Sequence, residues 1–453
     1  MTDEEKLEEM QAARVPNPYW WPGNLYAHYY PETTYWWQEE EGWNKRIALW
    51  DPSEGNGMPY FRISGPDASR LLSDTCVNRI YGSKAGTVKD LVWCRDDGKM
   101  IYDTLGLVWA PDVYEISSAT PLQYAMDNGD YDVTFEPVGT RTQFQVSGPK
   151  AYELLQELTD YDLTQIRPAH FNTEPIKLAG VDCYMVRLTM TGEYGFEIQT
   201  HGAENHDKLY AAVMEHGEKY GIERIGLRNH MVQHAEASMA GVYYGDTVSA
   251  AATDETDPYY VYCTTHNDLL HVVGILKPKI SGSFEPKSYE DFMASPIELG
   301  MGRMINFDHD FPGKEALAEE IKNPKRKMVC LEWNGDDVVD VYASFFKPGP
   351  AHERNDAPHY DYMEIPRDPR LPVEASKVLV DGEEVAFTTS RTYMYSFRKM
   401  VSHCMMPVAY AEPGTEVTVV WGDPGHPQKD IRATVCESPY KPDMSRTQPQ
   451  PKA

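Results

Sequence analysis

Basic side chains are scarce in this chain: 42 Lys and Arg stand against 70 Asp and Glu, for a formal net charge of −28. Phosphate backbones are gripped by clustered Lys and Arg, so the scarcity argues against a nucleic-acid partner, while acidity at this level speaks for solubility and says little about substrate. Cysteine is sparse and unpatterned. The seven (Cys76, Cys94, Cys183, Cys263, Cys330, Cys404, Cys436) include no C-x-x-C spacing, which excludes the usual signatures of a disulfide framework and of a cysteine zinc site. His201 and His206, like His266 and His271, stand five apart without a matching carboxylate, so no metal is expected. No run of about 18 apolar residues occurs, and the opening MTDEEKLEEM is acidic with no apolar stretch. Neither a membrane span nor a signal peptide is therefore expected, and the expected location is the cytoplasm. Missing too are G-x-G-x-x-G and Walker patterns, which leaves dinucleotide and P-loop readings without support.

Aromatics, by contrast, are abundant: 30 Tyr and 10 Trp, concentrated in NPYWWPGNLYAHYYPETTYWW, Asn17 to Trp37. That stretch reads either as an arm packed on a domain surface or as a flat lining suited to a planar ligand. The length suggests roughly two to four domains. One device occurs twice. Alternation through Tyr60 to Ile63, then Ser-Gly-Pro, then helical spacing through Ala68, Leu71 and Leu72 is repeated as TQFQVSGPKAYELLQEL, Thr142 to Leu158. Proline presets φ at a helix start, so each Gly-Pro predicts a helix beginning at the proline. Between the copies, Asp97-Gly98 predicts a hairpin. Hairpins interleaved with helices, without a regular βαβ rhythm, indicate the α+β class.

The stretch TMTGEYGFEIQT, Thr189 to Thr200, sets two glutamates, Glu193 and Glu197, around a Gly-x-x-Gly turn in an otherwise strand-like run. It reads either as a bulge between exposed strand residues or as part of a site.

Four segments, FRISGPDASRLL, TMTGEYGFEI, GLRNHMVQHAEA and PIELGMGRMINFDHDFPGKEAL, stand in order across Phe61 to Leu317. Together they resemble the tetrahydrofolate-dependent aminomethyltransferases of the glycine cleavage system and their demethylase relatives. LYAHYYP, NFDHDFPGKEAL and EWNGDDVVDVYASFF resemble the O-demethylase branch that acts on vanillate. The resemblance implies a three-domain cloverleaf with a C-terminal β-barrel-like domain and tetrahydrofolate in its central opening. The expected division is an N-terminal helix and aromatic arm over 1–50 and the first part of a folate-binding α+β domain over 51–140. A second, ferredoxin-like α+β domain over 141–245, a lid or connection over 246–325 and the β domain over 326–453 follow.

On the same resemblance, Glu197 meets the aminopyrimidine edge of the pterin, where a carboxylate can accept from two adjacent N–H donors. Gln145 is a second pterin contact, Ile116 a third, and Arg228 a candidate for the folate's glutamate tail, with a structural ion pair as its alternative. Glu193 is expected to cap the turn or face solvent. His28, Tyr30 and Ser118 are the expected substrate contacts. Both basic anchors that hold the vanillate carboxylate are missing: PSEGNG, Pro52 to Gly57, and Ser117-Ser118 occupy their places. An unpaired carboxylate in an apolar pocket costs several kcal/mol, so the substrate expected is a small neutral aromatic ether.

His230 aligns with the branch's catalytic tyrosine. A phenolate leaves from an acid of pKa about 10, and histidine can protonate it; a hydrogen-bonded structural histidine is the alternative. Asp103 in GKMIYDTLG is a second acid candidate beside its reading as an ordinary strand residue; Tyr102 replaces the family's paired aspartate. A neutral one-carbon bridge points to methylenedioxyphenyl compounds such as sesamin, giving a catechol and 5,10-methylenetetrahydrofolate. O-demethylation of a methoxyarene to 5-methyltetrahydrofolate and a folate-binding scaffold without turnover are the alternatives.

Overall fold

The computed structural model describes residues 36–52, 60–116, 120–139, 141–242, 246–265, 279–352 and 372–447. Two sheets and a barrel organise them. The first sheet runs in the order β11–β1–β7–β10–β9–β8. Its strands are β1 (Ile47–Trp50), β7 (Arg141–Ser147), β8 (Ile176–Leu178), β9 (Val181–Val186), β10 (Gly195–His201) and β11 (Ile222–Arg224). Only the β1–β11 pair is parallel. The second sheet runs β3–β4–β5–β2–β6, from β2 (Phe61–Ser64), β3 (Thr87–Cys94), β4 (Met100–Ala110), β5 (Val113–Ile116) and β6 (Thr134–Pro137). As Asp97-Gly98 predicts, β3 and β4 form a hairpin.

Six antiparallel strands close a barrel in the C-terminal region: β13 (Arg326–Trp333), β15 (Ser376–Val380), β16 (Glu383–Met394), β17 (Lys399–Pro407), β18 (Glu416–Trp421) and β19 (Lys429–Cys436). A short parallel pair, β12 (Lys279–Ser281) and β14 (Pro372–Glu374), lies outside it. Closure removes the exposed edges that so many strands would otherwise present. Mixed helices and sheets followed by a closed barrel match the α+β class and the β-barrel-like domain expected from the sequence.

Six α-helices of the described residues, in chain order, are α1 (Trp36–Lys45), α2 (Ala68–Thr75), α3 (Thr120–Asn128), α4 (Ala151–Glu157), α5 (Ala203–Gly217) and α6 (Leu227–Ala237). The repeated Ser-Gly-Pro device has one geometry in both copies, with a correction. The helices begin at Ala68 and Ala151, two residues beyond the prolines, because a turn closes first through Ala68 N–H to Gly65 O and Ala151 N–H to Gly148 O. Gly65 (φ 132°) and Gly148 (φ 133°) cross under backbone so closely that a Cβ would lie 2.6 Å from Asp132 O and Arg46 O. No other residue fits there.

Strand alternation divides the sheets into faces. On one face of the first sheet, Ile47, Leu49, Phe144, Val146, Phe196 and Ile198 form a core with α4 and α5. On the other, Ala48 and Trp50 join Trp43 of α1, Val232 of α6, and Met394 and Val401 of the barrel. The second sheet buries Ile63, Leu91, Trp93, Tyr102, Val108 and Ile116 under α2 and α3. Its opposite face packs Val92 and Cys94 against Ala240, Val242 and barrel residue Met405. The polar-bearing face of each sheet is thus turned toward α6, its continuation to Val242, and the barrel.

Candidate active site

Register fixes the first pair of site residues. In the β7–β10 ladder Glu197 stands directly opposite Gln145, and Gln145 stands opposite Trp50 of β1. All three side chains therefore lie on the face toward α6. The close pairing depends on Gly195, where a Cβ would fall 2.2 Å from Val146 O. Glu197 is buried, its Oε2 has no hydrogen-bond partner, and burial pushes its carboxyl up to about 8. A buried carboxyl without a cation keeps its proton at neutral pH. Gln145 is held in place: its Oε1 accepts from Met190 N–H at 2.9 Å, and its Nε2 lies 3.4 Å from Ser147 Oγ.

The loop between β9 and β10 is rigidified from a distance. Thr189 Oγ1 donates to Glu193 O at 2.6 Å. Glu193 does not face solvent as the sequence suggested: it is buried and ion-paired to buried Lys441 at 2.9 Å. Burial raises the Glu193 carboxyl above its usual range and Lys441 pulls it partly back. Met444 N–H donates to Gly192 O, while Arg187 donates to the carbonyls of Ser445 and Thr447. The approach of these late residues, encoded some 250 positions away, was invisible to local reading.

The second acid, Asp103, lies in β4 opposite Val92, on the face turned to Val242. A Cβ on Gly241 would be 3.1 Å from its Oδ1, an atom that has no hydrogen-bond partner. Burial pushes the Asp103 carboxyl up to about 6, opposed by a hydrogen bond from the Val242 backbone. The sequence analysis missed its companion. Asp90 in β3 pairs with Leu105, so it occupies the same face one diagonal step from Asp103. Burial, then the charge of Asp103, raises Asp90 well above the carboxylate range. Two neighbouring carboxyls of this kind share a proton near neutrality. A signal existed: counting back from the Asp97-Gly98 turn places Asp90 and Asp103 on one face. The lost family aspartate at Tyr102 is thus not the end of the acid pair, since Tyr102 lies in the core on the opposite face.

Helix α6 packs with Trp50 and Met190 through Val232, and its continuation passes over Asp103. Its N-terminus is capped by Glu39 of α1, whose Oε2 accepts from Gly226 N–H at 2.9 Å and from Asn229 Nδ2 at 3.0 Å. Unpaired N–H groups and the helix dipole both favour an anion there. One helix length on, Glu236 accepts from Trp43 Nε1 at 2.7 Å and Asn44 Nδ2 at 3.1 Å, and it hydrogen-bonds Glu40. Glu40 accepts from Tyr395 and Ser396 N–H of the barrel turn. Burial, then mutual charge, raises Glu236 well above its usual range, so the pair holds a proton between them.

The remaining expected residues divide. Arg228 and His230 fall in the first turns of α6, but their side chains lie outside the described residues. His28, Tyr30 and Ser118 lie outside the described residues altogether. Ile116 is fully buried in the core under α2, on the sheet face opposite Asp103, so its side chain is not brought to the other site residues. Glu197 and Gln145 are brought together; Asp103 faces the segment that leaves α6. Among the described residues no cluster of metal-ligating side chains occurs, and no helix is long and apolar enough to cross a membrane.

Comparison with known proteins places this geometry in context. The GCVT N-terminal domain family matches residues 4–256. A sesamin methylene transferase from a Sinomonas species is 32% identical over 399 residues, covering 85% of this chain and 84% of that protein. A syringate O-demethylase from a Sphingobium species is 26% identical over 445 residues, covering 92% of this chain and 91% of that protein. The solved glycine cleavage system aminomethyltransferase T from Bartonella henselae shares the fold, with a TM-score of 0.60 at 16% identity, covering 96% of this chain and 97% of that one.

Proposed function

The chain belongs to the GCVT family, a family of folate-dependent one-carbon transferases, and from that premise we propose that it takes its one-carbon unit from a neutral aromatic ether, foremost a methylenedioxyphenyl compound of the sesamin type. The cofactor is tetrahydrofolate, and the residues present fit it. Glu197 offers a buried carboxyl with one oxygen unpartnered, beside a fixed Gln145. Once ionised, that carboxyl matches two adjacent N–H donors of an aminopyrimidine.

The observation that carries the substrate class is that the acids of the site stand without a cation among the described residues. Glu197, Asp90 and Asp103 are all carboxyls, and among the described residues none has a Lys or Arg partner. A benzoate would meet this acidic surface without a counter-ion, at a cost of several kcal/mol. A neutral ether would not. The 32% identity to a sesamin methylene transferase supports the same choice.

When bound, tetrahydrofolate supplies the nucleophilic nitrogens that receive the carbon. The chain's work is then positioning and proton supply. Glu197 and Gln145 orient the cofactor; His230, in the first turns of α6, donates a proton to the departing aryl oxygen, so that a phenol leaves instead of a phenolate. Asp103, poised near pH 6 and coupled to Asp90, holds and returns that proton. A methylenedioxy carbon already stands at the oxidation level of formaldehyde, so no redox partner is required.

The test is to incubate the purified protein with tetrahydrofolate and either sesamin or a methoxyphenol, and to identify products by mass spectrometry. A catechol with 5,10-methylenetetrahydrofolate, from sesamin, is expected. Formation of 5-methyltetrahydrofolate alone would reject this reading in favour of O-demethylation, the second reading, which the syringate O-demethylase similarity supports.

A further inference from the structure

Gln233 of α6 has no exposed surface, yet among the described residues neither its Oε1 nor its Nε2 has a hydrogen-bond partner. Buried side-chain amides are nearly always bonded, and leaving one unbonded is costly. Its neighbours along the helix fix the direction it takes. Asn229 and Glu236 bond α1, while the Gly192 Cβ position lies 3.7 Å from Ala237. At about 100° per residue, Gln233 projects between these two directions. Val232, the preceding residue, packs in one cluster with Trp50 and Met190, so α6 lies on the side of the first sheet that carries Trp50, Gln145 and Glu197.

The chemistry of the ring leaves one role open. A pterin edge presents adjacent N–H and amino donors beside a ring carbonyl. An ionised Glu197 can only accept, and so serves the donors alone. The Gln145 amide spends its Oε1 on Met190 N–H and one N–H toward Ser147 Oγ, which leaves it a single N–H for the ligand. A ring carbonyl has two lone pairs and so takes a second donor, and the Gln233 amide on the helix has both atoms to offer.

Building on the folate reading, we propose that Gln233 is a pteridine-binding residue whose Nε2 donates to the ring carbonyl from the side of α6, opposite Glu197. The empty amide in the free protein is then a preformed half of a hydrogen bond, its desolvation already met before the ligand arrives.

The decisive variants are Gln233→Met, which keeps length without polarity, and Gln233→Leu. For each, the melting temperature of the ligand-free protein and the Kd for tetrahydrofolate, measured anaerobically by calorimetry, are compared with wild type. The expected result is an affinity weakened by about tenfold, the worth of one good hydrogen bond, with a ligand-free melting temperature equal to or above that of wild type. An affinity within about twofold of wild type in both variants would mean that Gln233 serves only a buried water, and would overturn the proposal. So would an affinity loss accompanied in both variants by a lowered ligand-free melting temperature. Failure of the wild-type protein to bind tetrahydrofolate at all would instead remove the folate reading, and this inference with it.

Discussion

On the proposed reading, Glu197 links its ionisation to the binding of the pterin. In the free protein its carboxyl is raised to about 8 by burial, so below that pH it must lose a proton before it can accept from two pterin donors. Affinity for tetrahydrofolate should therefore rise with pH between 6 and 8 and level off above, as calorimetry across that range would show. Glu197→Gln should bind weakly and with that slope flattened. The acid pair makes a separate prediction. Asp103→Asn should lower kcat by about 10²–10⁴-fold, the usual worth of a positioned acid or base. Asp90→Asn removes the carboxyl that burial and the charge of Asp103 keep protonated, so a higher-pH step in the kcat profile should disappear while the limb set by Asp103 stays; a higher step that persists would show that Asp90 does not titrate with the reaction.

At the scale of elements, α6 is a beam held at both ends. Replacing Glu39 with Ala strips the helix N-terminus of its anion and leaves Gly226 N–H and the Asn229 amide without that acceptor. A loss of about 2–3 kcal/mol in denaturant unfolding is expected, with kcat falling beyond what stability explains. The other end is pH-sensitive. Carboxyls raised in the folded state stabilise it fully below their unfolded pKa, and that contribution fades as pH rises through the folded value. Glu236→Gln, which can keep an acceptor for α1 and a donor for Glu40, should flatten the fall of the melting temperature at alkaline pH. Local elements were legible in the sequence: the Asp97-Gly98 hairpin and the paired Ser-Gly-Pro turns are written in adjacent residues. The clamps on α6 were not, because Glu39 meets Asn229 across 190 positions, and no periodicity records such a contact. Gln233 is the harder case, since a polar residue in a helix reads as solvated until burial shows otherwise.

Across the whole molecule, the family could be read from four ordered segments and Glu197 from one of them, Gln145 came from the second Ser-Gly-Pro stretch, and the Asp90–Asp103 pair needed the strand register. Lys441 tests how widely the site is supported. Lys441→Met strands a buried Glu193, and removing one partner of a buried pair costs about 3 kcal/mol or more; thermal unfolding should show it, and tetrahydrofolate affinity should weaken because the Gly192 loop loses its brace. That brace also dictates an order of events during synthesis. The strands bearing Glu197 and Gln145 leave the ribosome long before Lys441, Met444 and Ser445 exist, so the loop beside them gains its brace only as translation nears its end.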